Sequence, residues 1–261
     1  MNGSSTGWDT SPHVRYLVLS DIHSNIDALD AVLEDARELR TDGILVLGDL
    51  VGYGAEPEMV VERIRALAPM AIVRGNHDKV VAGLASDDGF NPLAKSSVGL
   101  TRRALSRESL DYLAALPQGP IAVDQVVEIC HGSPFDEEGY LHQDMDMLEA
   151  LETSQRPVCL FGHTHIPFAA AAEGEADLEI LLAGDGDGKE IALGEGRRYV
   201  VNPGSVGQPR DGDPRAAYGV VDTEMMTIAI RRVAYPVERA RDRIFAAGFP
   251  RPLGQRLMAG R

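Results

Sequence analysis

Cysteine is scarce in this chain, and its two occurrences argue against a framework of disulfide bonds. The 261 residues include only Cys130 and Cys159, each inside an apolar run. Secreted domains that depend on disulfides carry more cysteines for their length, whereas buried thiols are usual in reducing compartments. We therefore expect two buried free thiols in a cytoplasmic protein.

Long apolar runs and basic patches are missing as well. No run approaches the roughly 18 apolar residues that a membrane-spanning helix needs, and residues 1–13 lack the apolar centre of a signal peptide. The chain has 25 basic against 40 acidic residues, a net charge of −15 and no basic run. Because nonspecific nucleic-acid binding needs a basic face, we expect neither membrane contact nor stable binding of nucleic acid.

The length fits one large domain or two small ones. Because no repeat or clear linker divides the chain, we predict a single domain over residues 14–261. It would be preceded by a flexible N-terminal tail over residues 1–13.

Strands and helices are predicted to alternate in the first half. Short β-branched runs predict strands over Val14–Leu19, Ile44–Leu47, Met70–Val73, Ile121–Val123, Val126–Cys130 and Val158–Phe161. Helical spacing of apolar residues predicts helices over Ile26–Leu39, Pro57 to about Leu67, Leu93–Leu105, Leu110–Leu116 and Met145–Leu151. From Phe168 to Val233 the pattern indicates antiparallel strands, with two terminal helices after them. This order predicts an α/β protein with two sheets between helices.

Two local patterns add detail to this prediction. Ser24 and Asp27 have the spacing of a capping box at the start of the first long helix. The glycine-rich stretch 184–189 lacks the ligands that a calcium-binding EF-hand loop needs at its later positions, so it predicts a hairpin turn instead.

Side chains that can bind metal follow five of the predicted strands, usually beside a glycine. They are Asp21 and His23, Asp49, Asn76 and His77, His131, and His163 and His165. Ligands of α/β sheets bind outside the carboxyl ends of strands, where glycine lets the backbone approach closely. Because buried acids and imidazoles cluster where a cation binds them, the sequence predicts a metal centre.

The number of these side chains favours two metal ions over one. Seven of them, all except His77, are counted as potential ligands; seven are too many for one first-row ion, but a shared Asp49 would give each of two ions about four protein ligands. Nitrogen and oxygen ligands suit divalent transition metals, with Mn²⁺ as our first choice and Fe, Ni, Co or Zn as alternatives. Two ions roughly 3.5–4 Å apart form the clamp used for in-line attack at phosphorus.

In order, these residues resemble the five motifs of the calcineurin-like metallophosphoesterases. The motifs read Asp21-x-His23, Gly48-Asp49, Gly75-Asn76-His77-Asp78, His131 and Gly162-His163-x-His165. The resemblance spans about residues 14–235, and stretches 48–54 and 202–210 look most similar to bacterial phosphodiesterase-like and diadenosine tetraphosphatase-like members. It implies a calcineurin-like four-layer sandwich, in which two mixed β-sheets are flanked by helices.

The resemblance also implies a role for each residue. One divalent ion would take Asp21, His23, Asp49 and His165, and the other would take Asp49, Asn76, His131 and His163. A hydroxide that bridges the ions would attack phosphorus, its pKa lowered by the metals. His77 would be catalytic, stabilising the transition state or protonating the leaving oxygen.

Residues beside His77 carry further assignments, two of them with open alternatives. Arg74 is a candidate for binding the substrate phosphate, with an ion pair to an acidic neighbour as its alternative. Asn76 is a candidate substrate contact in addition to its role as a ligand. Asp78 is a candidate catalytic residue that orients an imidazole, or it caps a helix that begins there.

The expected activity is hydrolysis of a phosphate ester, first of all of small phosphodiester or nucleotide-like substrates. A phosphomonoesterase or a dinucleoside polyphosphate hydrolase is the alternative, and a metal-binding scaffold without turnover is a third possibility. Gly52 and Tyr53 replace an Asp and an Arg of the related Ser/Thr protein phosphatases, which argues against that activity. Segments 87–97 and 135–146 are expected to shape the substrate pocket.

Overall fold

The structure is a computed structural model that describes residues 13–174 and 177–261. The tail predicted over residues 1–13 lies outside the described residues, apart from its last residue. The described chain forms two six-stranded β-sheets and eight α-helices. None of the helices in these ranges is both long and apolar enough to cross a membrane.

The first sheet combines a parallel half and an antiparallel half. Its strands are β1 (Arg15–Leu19), β2 (Gly43–Val46), β3 (Ala71–Ile72), β9 (Lys189–Ala192), β11 (Ala216–Asp222) and β12 (Thr227–Val233). Their order is β3-β2-β1-β11-β12-β9. Strands β1, β2 and β3 run parallel, whereas β11, β12 and β9 pair antiparallel with their neighbours. Three parallel strands therefore end at the same side of the sheet.

The second sheet is also mixed. Its strands are β4 (Ile121–Ala122), β5 (Val127–Ile129), β6 (Val158–Leu160), β7 (Phe168–Glu173), β8 (Glu179–Ala183) and β10 (Arg197–Asn202). Their order is β4-β5-β6-β10-β7-β8. Strands β5, β6 and β10 are parallel, and the other pairings are antiparallel.

Helices connect and cover the sheets. They are α1 (Ile26–Ala36), α2 (Pro57–Leu67), α3 (Asn76–Ala82), α4 (Pro92–Ala104), α5 (Arg107–Ala115), α6 (Asp144–Thr153), α7 (Val237–Ala246) and α8 (Arg251–Leu257). A 3-10 turn over Arg37–Leu39 continues α1. Pro57 begins α2 because its fixed φ and missing N–H suit the first helical position.

The alternating side chains of β1 show how the layers are stacked. Leu17 and Leu19 belong to a core cluster with the helices on the outer face of the first sheet. Tyr16 and Val18 point to the opposite face and pack with residues of the second sheet. A third cluster packs the other face of the second sheet against α6. The layers are helices, sheet, sheet and helix, so the predicted α/β four-layer sandwich of two mixed sheets is confirmed.

Three local expectations are wrong. The N-cap of α1 is Asn25, whose side chain accepts a hydrogen bond from the Ala28 amide, and Ser24 has a left-handed φ of 54°. The stretch 184–188 is not a hairpin turn, because it links β8 in one sheet to β9 in the other. Strand β10 is parallel to β6, although the pattern predicted an antiparallel arrangement.

The two cysteines are buried and free, as expected. Cys130 follows β5 and Cys159 lies in β6, and their Sγ atoms are 3.7 Å apart. Both belong to the cluster that packs the second sheet against α6. They therefore act as small apolar side chains in this core.

Candidate metal centre

The parallel strands of both sheets deliver polar residues to one place. In the first sheet, Asp21 and His23 follow β1, Asp49 follows β2, and Asn76 and His77 begin α3 after β3. In the second sheet, His131 follows β5, and His163 and His165 follow β6. The His163 amide donates to Asp21 Oδ2 at 3.1 Å, which joins the loops of the two sheets directly.

The backbone of this region is strained at five of the residues that carry candidate ligands. Five residues have φ values between 46° and 66°, in the left-handed region that non-glycine residues rarely adopt; they are Asp21, His23, Asp49, His163 and His165. Such strain persists where the surroundings hold it, and it concentrates at functional sites. Gly48, with a φ of 94°, lets two of these loops touch, since a Cβ there would lie 2.6 Å from the Gly75 nitrogen.

The first group of potential ligands comprises Asp21, His23, Asp49 and His165. All four are buried, and one ligand atom from each lies within 4.8 Å of the others. His165 Nε2 is 3.3 Å from Asp21 Oδ1, and His23 Nε2 is 3.5 Å from Asp49 Oδ2.

The second group comprises Asp49, His131 and His163, whose ligand atoms also lie within 4.8 Å of one another. His131 Nε2 is 3.6 Å from Asp49 Oδ2. Asn76 adds an oxygen to this group, because its Oδ1 lies 3.2 Å from His131 Nε2. Asp49 belongs to both groups, and all seven predicted ligands are brought together.

The hydrogen bonds of His23 and His165 show that this donor set fits a cation. His23 Nδ1 lies 3.0 Å from the Val51 carbonyl oxygen, and His165 Nδ1 lies 2.6 Å from that of Gln208. Because a carbonyl only accepts, the Nδ1 atoms donate, and each neutral ring presents a lone pair on Nε2. The two Nε2 atoms are 3.1 Å apart. Two lone pairs that face each other repel, and a cation between or beside them relieves this repulsion.

His131 is oriented in the same manner. Its Nδ1 lies 2.8 Å from the Leu47 carbonyl oxygen, so its Nε2 lone pair faces the second group of ligands. His163 Nδ1 lies 3.2 Å from His131 Nε2, so it is the ring nitrogen of His163 that faces the second group of ligands. A metal ion satisfies such nitrogens, whereas leaving them unpaired in a buried site costs free energy.

Burial controls the protonation of the site. Desolvation lowers the pKa of His23 well below its usual range and lowers that of His163 to about 2, so both rings are neutral as metal binding requires. Desolvation also raises the pKa of Asp49 well above its usual range, although His131 opposes this shift. Burial raises the pKa of Asp21 as well, but the combined interactions with His165, His131 and His23 outweigh burial, and the pKa is lowered. A bound cation would favour the ionised form of Asp49.

His77 stands beside the two groups but belongs to neither. Its ring centroid is 5.0 Å from that of His23, and its backbone amide donates to Asp49 Oδ1 at 2.9 Å. Its Nδ1 is buried and has no hydrogen-bond partner among the described residues, while the ring lines the open pocket above the ligands. Nε2 is therefore the ring nitrogen that can meet a substrate.

The contacts of Asp78 and Arg74 match the structural alternatives given for them, a helix cap for Asp78 and an ion pair for Arg74. Asp78 accepts from the Gly75 amide at 3.0 Å and the Val51 amide at 3.1 Å, so it caps α3 and ties it to the loop after β2. Arg74 forms a two-point ion pair with Glu137, in which Nη2 is 3.2 Å from Oε2. A catalytic role for Asp78 and a substrate-binding role for Arg74 stay predictions that these contacts do not favour.

The pocket above the ligands has an aromatic and partly polar wall. Segments 87–97 and 135–146 both contribute to it, through Phe90 and Tyr140 among others. The Phe90 ring packs 4.5 Å from the His77 ring, and the Tyr140 ring lies 3.9 Å from that of His163. Tyr140 is 47% exposed, so its ring stands at the pocket entrance.

Arg210 and Tyr53 also line this pocket, and sequence reasoning assigned no role to either. Arg210 lies in the loop after β10, which reaches the site because β10 runs parallel to β6. The position of Arg210 directly after a strand could have identified it as a site residue. This inference would have required the prediction that β10 runs parallel to β6. The stretch 202–210 was recognised as similar to relatives without a role for its last residue.

The fold and the donor set define a metallophosphoesterase, an enzyme that hydrolyses phosphate esters at a divalent-metal site. The chain belongs to the calcineurin-like phosphoesterase superfamily, whose domain matches residues 14–226. It is 38% identical over 94% of its length to the uncharacterized protein MJ0912 of Methanocaldococcus jannaschii, covering 97% of that protein.

Two further comparisons agree with this assignment. A crystal structure of a metallophosphoesterase from Sphaerobacter thermophilus superposes with a TM-score of 0.82 and 37% identity, over 96% of this chain and 100% of that one. The phosphodiesterase YfcE of Escherichia coli is 24% identical over 82% of this chain and 91% of its own length.

Proposed function

We propose that this enzyme is a phosphodiesterase that holds two divalent metal ions. The observation that carries this proposal is the position of Asp49. Its Oδ2 lies 3.5 Å from His23 Nε2 in one ligand group and 3.6 Å from His131 Nε2 in the other. A carboxylate shared in this manner is the bridge that a two-metal site requires.

The two groups give each ion four protein ligands. Asp21, His23, Asp49 and His165 would hold the first ion, and Asp49, Asn76, His131 and His163 would hold the second. Mn²⁺ is our first choice, because nitrogen and oxygen donors without thiolate suit it, and Fe, Ni, Co and Zn suit the same set. When bound, the ions supply Lewis-acid stabilisation of the phosphoryl oxygens and acidify water.

The residues of the chain position the reacting groups. The imidazole of His77 is placed beside the ligands but is not one of them, and its Nε2 is the nitrogen on the pocket side. Because burial lowers its pKa well below the usual range, with Arg210 adding to the effect, His77 is neutral at pH 7. A neutral imidazole with its N–H on Nε2 donates a hydrogen bond to the phosphoryl or leaving oxygen and stabilises the negative charge that develops there.

The pocket wall favours a diester over a monoester. A diester carries a second organic group, and the rings of Phe90 and Tyr140 offer apolar surface for it beside the ligands. The relative YfcE is named a phosphodiesterase. We therefore expect a small phosphodiester or nucleotide-like substrate and no stable complex with nucleic acid or membrane. Two free buried thiols suit a reducing compartment, so we place the enzyme in the cytoplasm.

Hydrolysis of bis-p-nitrophenyl phosphate beside p-nitrophenyl phosphate tests the proposal. The protein is assayed with Mn²⁺, with EDTA, and with EDTA followed by excess Mn²⁺, and its metal content is determined in each state. We expect Mn²⁺-dependent turnover with the diester preferred. Preference for the monoester would make the enzyme a phosphomonoesterase. If neither ester is hydrolysed by metal-loaded protein, the diesterase proposal is contradicted for aryl esters, and the scaffold interpretation gains support.

A further inference from the structure

Arg210 places a positive charge at the pocket without an acidic partner. Its side chain lines the pocket with His77, His163 and His165. Within residues 13–174 and 177–261, no carboxylate oxygen lies within 4.0 Å of its guanidinium. The side chain donates one hydrogen bond, from Nη2 to Gln208 Oε1 at 3.0 Å, and its Nε is buried with no partner.

The acids that follow Arg210 in the sequence bind other arginines. Asp211 pairs with Arg232, whose side chain is fully buried. Asp213 pairs with Arg215, with Nη2 and Oδ2 2.7 Å apart. Both acids are therefore paired with other arginines, and neither forms an ion pair with Arg210.

The loop that carries Arg210 is fixed to the ligands. The Val206 and Gly207 amides donate to the carbonyl oxygens of Ser20 and Asp21 at 2.9 and 3.0 Å. The Arg210 amide lies 3.3 Å from the carbonyl oxygen of His165. Backbone hydrogen bonds on both sides thus set the distance between Arg210 and the ligands.

The ring of Tyr53 supports the guanidinium, which lies 5.8 Å from the ring centroid. This contact restricts the side chain to the pocket side of the loop. A half-buried cation with an unpaired N–H is unfavourable alone, and an anion with several acceptor oxygens satisfies both the charge and the donor. The planar fork of arginine matches phosphate oxygens in particular.

We propose that Arg210 binds a non-bridging oxygen of the substrate phosphate while the ester group lies over the metal ligands. This inference rests on the proposed phosphoesterase activity at the same site. It assigns to Arg210 the phosphate-binding role that the sequence suggested for Arg74. Arg74 is held by Glu137, whereas Arg210 has a donor to offer.

The test compares the wild type, Arg210→Gln, Arg210→Lys and Arg256→Gln, all loaded with Mn²⁺. Arg256 is the matched control, because its guanidinium also lies near Tyr53, at 5.9 Å from the ring centroid, but its side chain is not part of the pocket wall. Metal content, the melting temperature, inhibition by inorganic phosphate and hydrolysis of bis-p-nitrophenyl phosphate are measured for each. Binding of inorganic phosphate by calorimetry gives a readout without turnover.

We expect Arg210→Gln to keep its metal and to bind phosphate roughly 10- to 100-fold more weakly, as for the loss of a charge-assisted hydrogen bond. Its KM for the diester rises in parallel. Arg210→Lys retains part of the affinity, and Arg256→Gln behaves as the wild type. If Arg210→Gln loses its metal or does not fold, the phosphate affinity of Arg210→Lys is compared with that of Arg256→Gln. Weaker binding by Arg210→Lys then supports the role of Arg210, and equal binding contradicts it.

Two results separate this inference from the proposed function. Wild-type phosphate affinity in Arg210→Gln or Arg210→Lys, together with normal hydrolysis, would overturn the role of Arg210 and leave the enzyme assignment intact. A wild type that binds phosphate through Arg210 but hydrolyses no ester would contradict the proposed function and support the binding role.

Discussion

The imidazole of His77 packs so closely against Gly52 that a Cβ at position 52 would collide with the ring. A Cβ there would lie 2.5 Å from His77 Nδ1, and the φ of Gly52 is 95°. The related Ser/Thr protein phosphatases carry an aspartate at this position instead of a glycine. Here Nδ1 is buried without a partner. The position of this histidine therefore depends on the packing of its ring against the backbone of Gly52, because Nδ1 makes no hydrogen bond with the described residues.

Substitution of Gly52 by alanine tests this packing. The added Cβ collides with the ring and strains a left-handed backbone, so we expect kcat to fall at least about tenfold, as for a displaced hydrogen-bond donor in the active site, with a lower melting temperature. Gly99→Ala in α4 is the control, since a Cβ there would meet only Arg103 Nη1 at 3.4 Å. Unchanged kcat in Gly52→Ala, with metal bound, would show that the position of His77 is not critical.

His77→Ala separates catalysis from metal binding. The ring belongs to neither ligand group, so metal content stays at the wild-type level while kcat falls by about 10²- to 10⁴-fold. Elemental analysis and steady-state kinetics on the same preparation measure both quantities. Exposed His13 provides a control, and His13→Ala changes neither. Loss of metal from His77→Ala would place this residue among the ligands.

Asp49→Asn tests the shared carboxylate. The substitution keeps the size of the side chain but removes a charge that both groups use, so we expect both ions to be lost or bound much more weakly, with no measurable turnover. His131→Ala, by contrast, removes a ligand of one group, and one ion per chain remains. Asp111→Asn on the surface of α5 is the control. An Asp49→Asn protein that retains two ions would refute the bridge.

Acid should destabilise the metal-free protein. Burial lowers the folded-state pKa values of His23, His77, His163 and His165, that of His163 to about 2. Below about pH 6.5 the unfolded chain takes up protons on these rings that the folded chain refuses, so stability is present above that pH and is lost as the pH falls.

The size of the expected loss of stability follows from the same difference in proton binding between the folded and unfolded chain. The ring of His163, whose folded-state pKa of about 2 lies below this range, contributes about 2 kcal/mol between pH 6.5 and 5, and the rings of His23, His77 and His165 act in the same direction. The raised pKa values of His131 and Asp49 act with the opposite sign and offset part of the loss. Urea unfolding in EDTA at pH 7, 6 and 5 measures the change. Stability that is constant or higher at pH 5 would mean that these rings are not buried in their neutral form.

Those parts of the fold that depend on local pattern were predicted from the sequence. The helix Pro57–Leu67 was predicted with its observed bounds, since a proline at its first turn and an apolar face mark it. The metal-ligand candidates stood out because each directly follows a buried strand, and parallel strands bring such positions together. The structure brings all seven together, while their roles as ligands stay predictions.

Features that depend on distant contacts could not be predicted in this manner. Stretch 184–188 has the composition of a turn, but composition does not indicate that its two strands belong to different sheets. Arg74 finds Glu137 63 positions away. Arg210 lies beyond the end of β10, and its place at the pocket follows from the pairing of β10 with β6. Each of these facts is set by tertiary packing.

Both ligand groups combine residues from distant parts of the chain, and this has a consequence for biosynthesis. The first group needs His165 in addition to Asp21, and the second needs His131 and His163 in addition to Asp49. The ring of His165 is in turn oriented by the Gln208 carbonyl. A chain emerging from the ribosome therefore has no complete site until most of its length has been made. Neither group of ligands can be complete before His163 has been made, and the first group also needs His165.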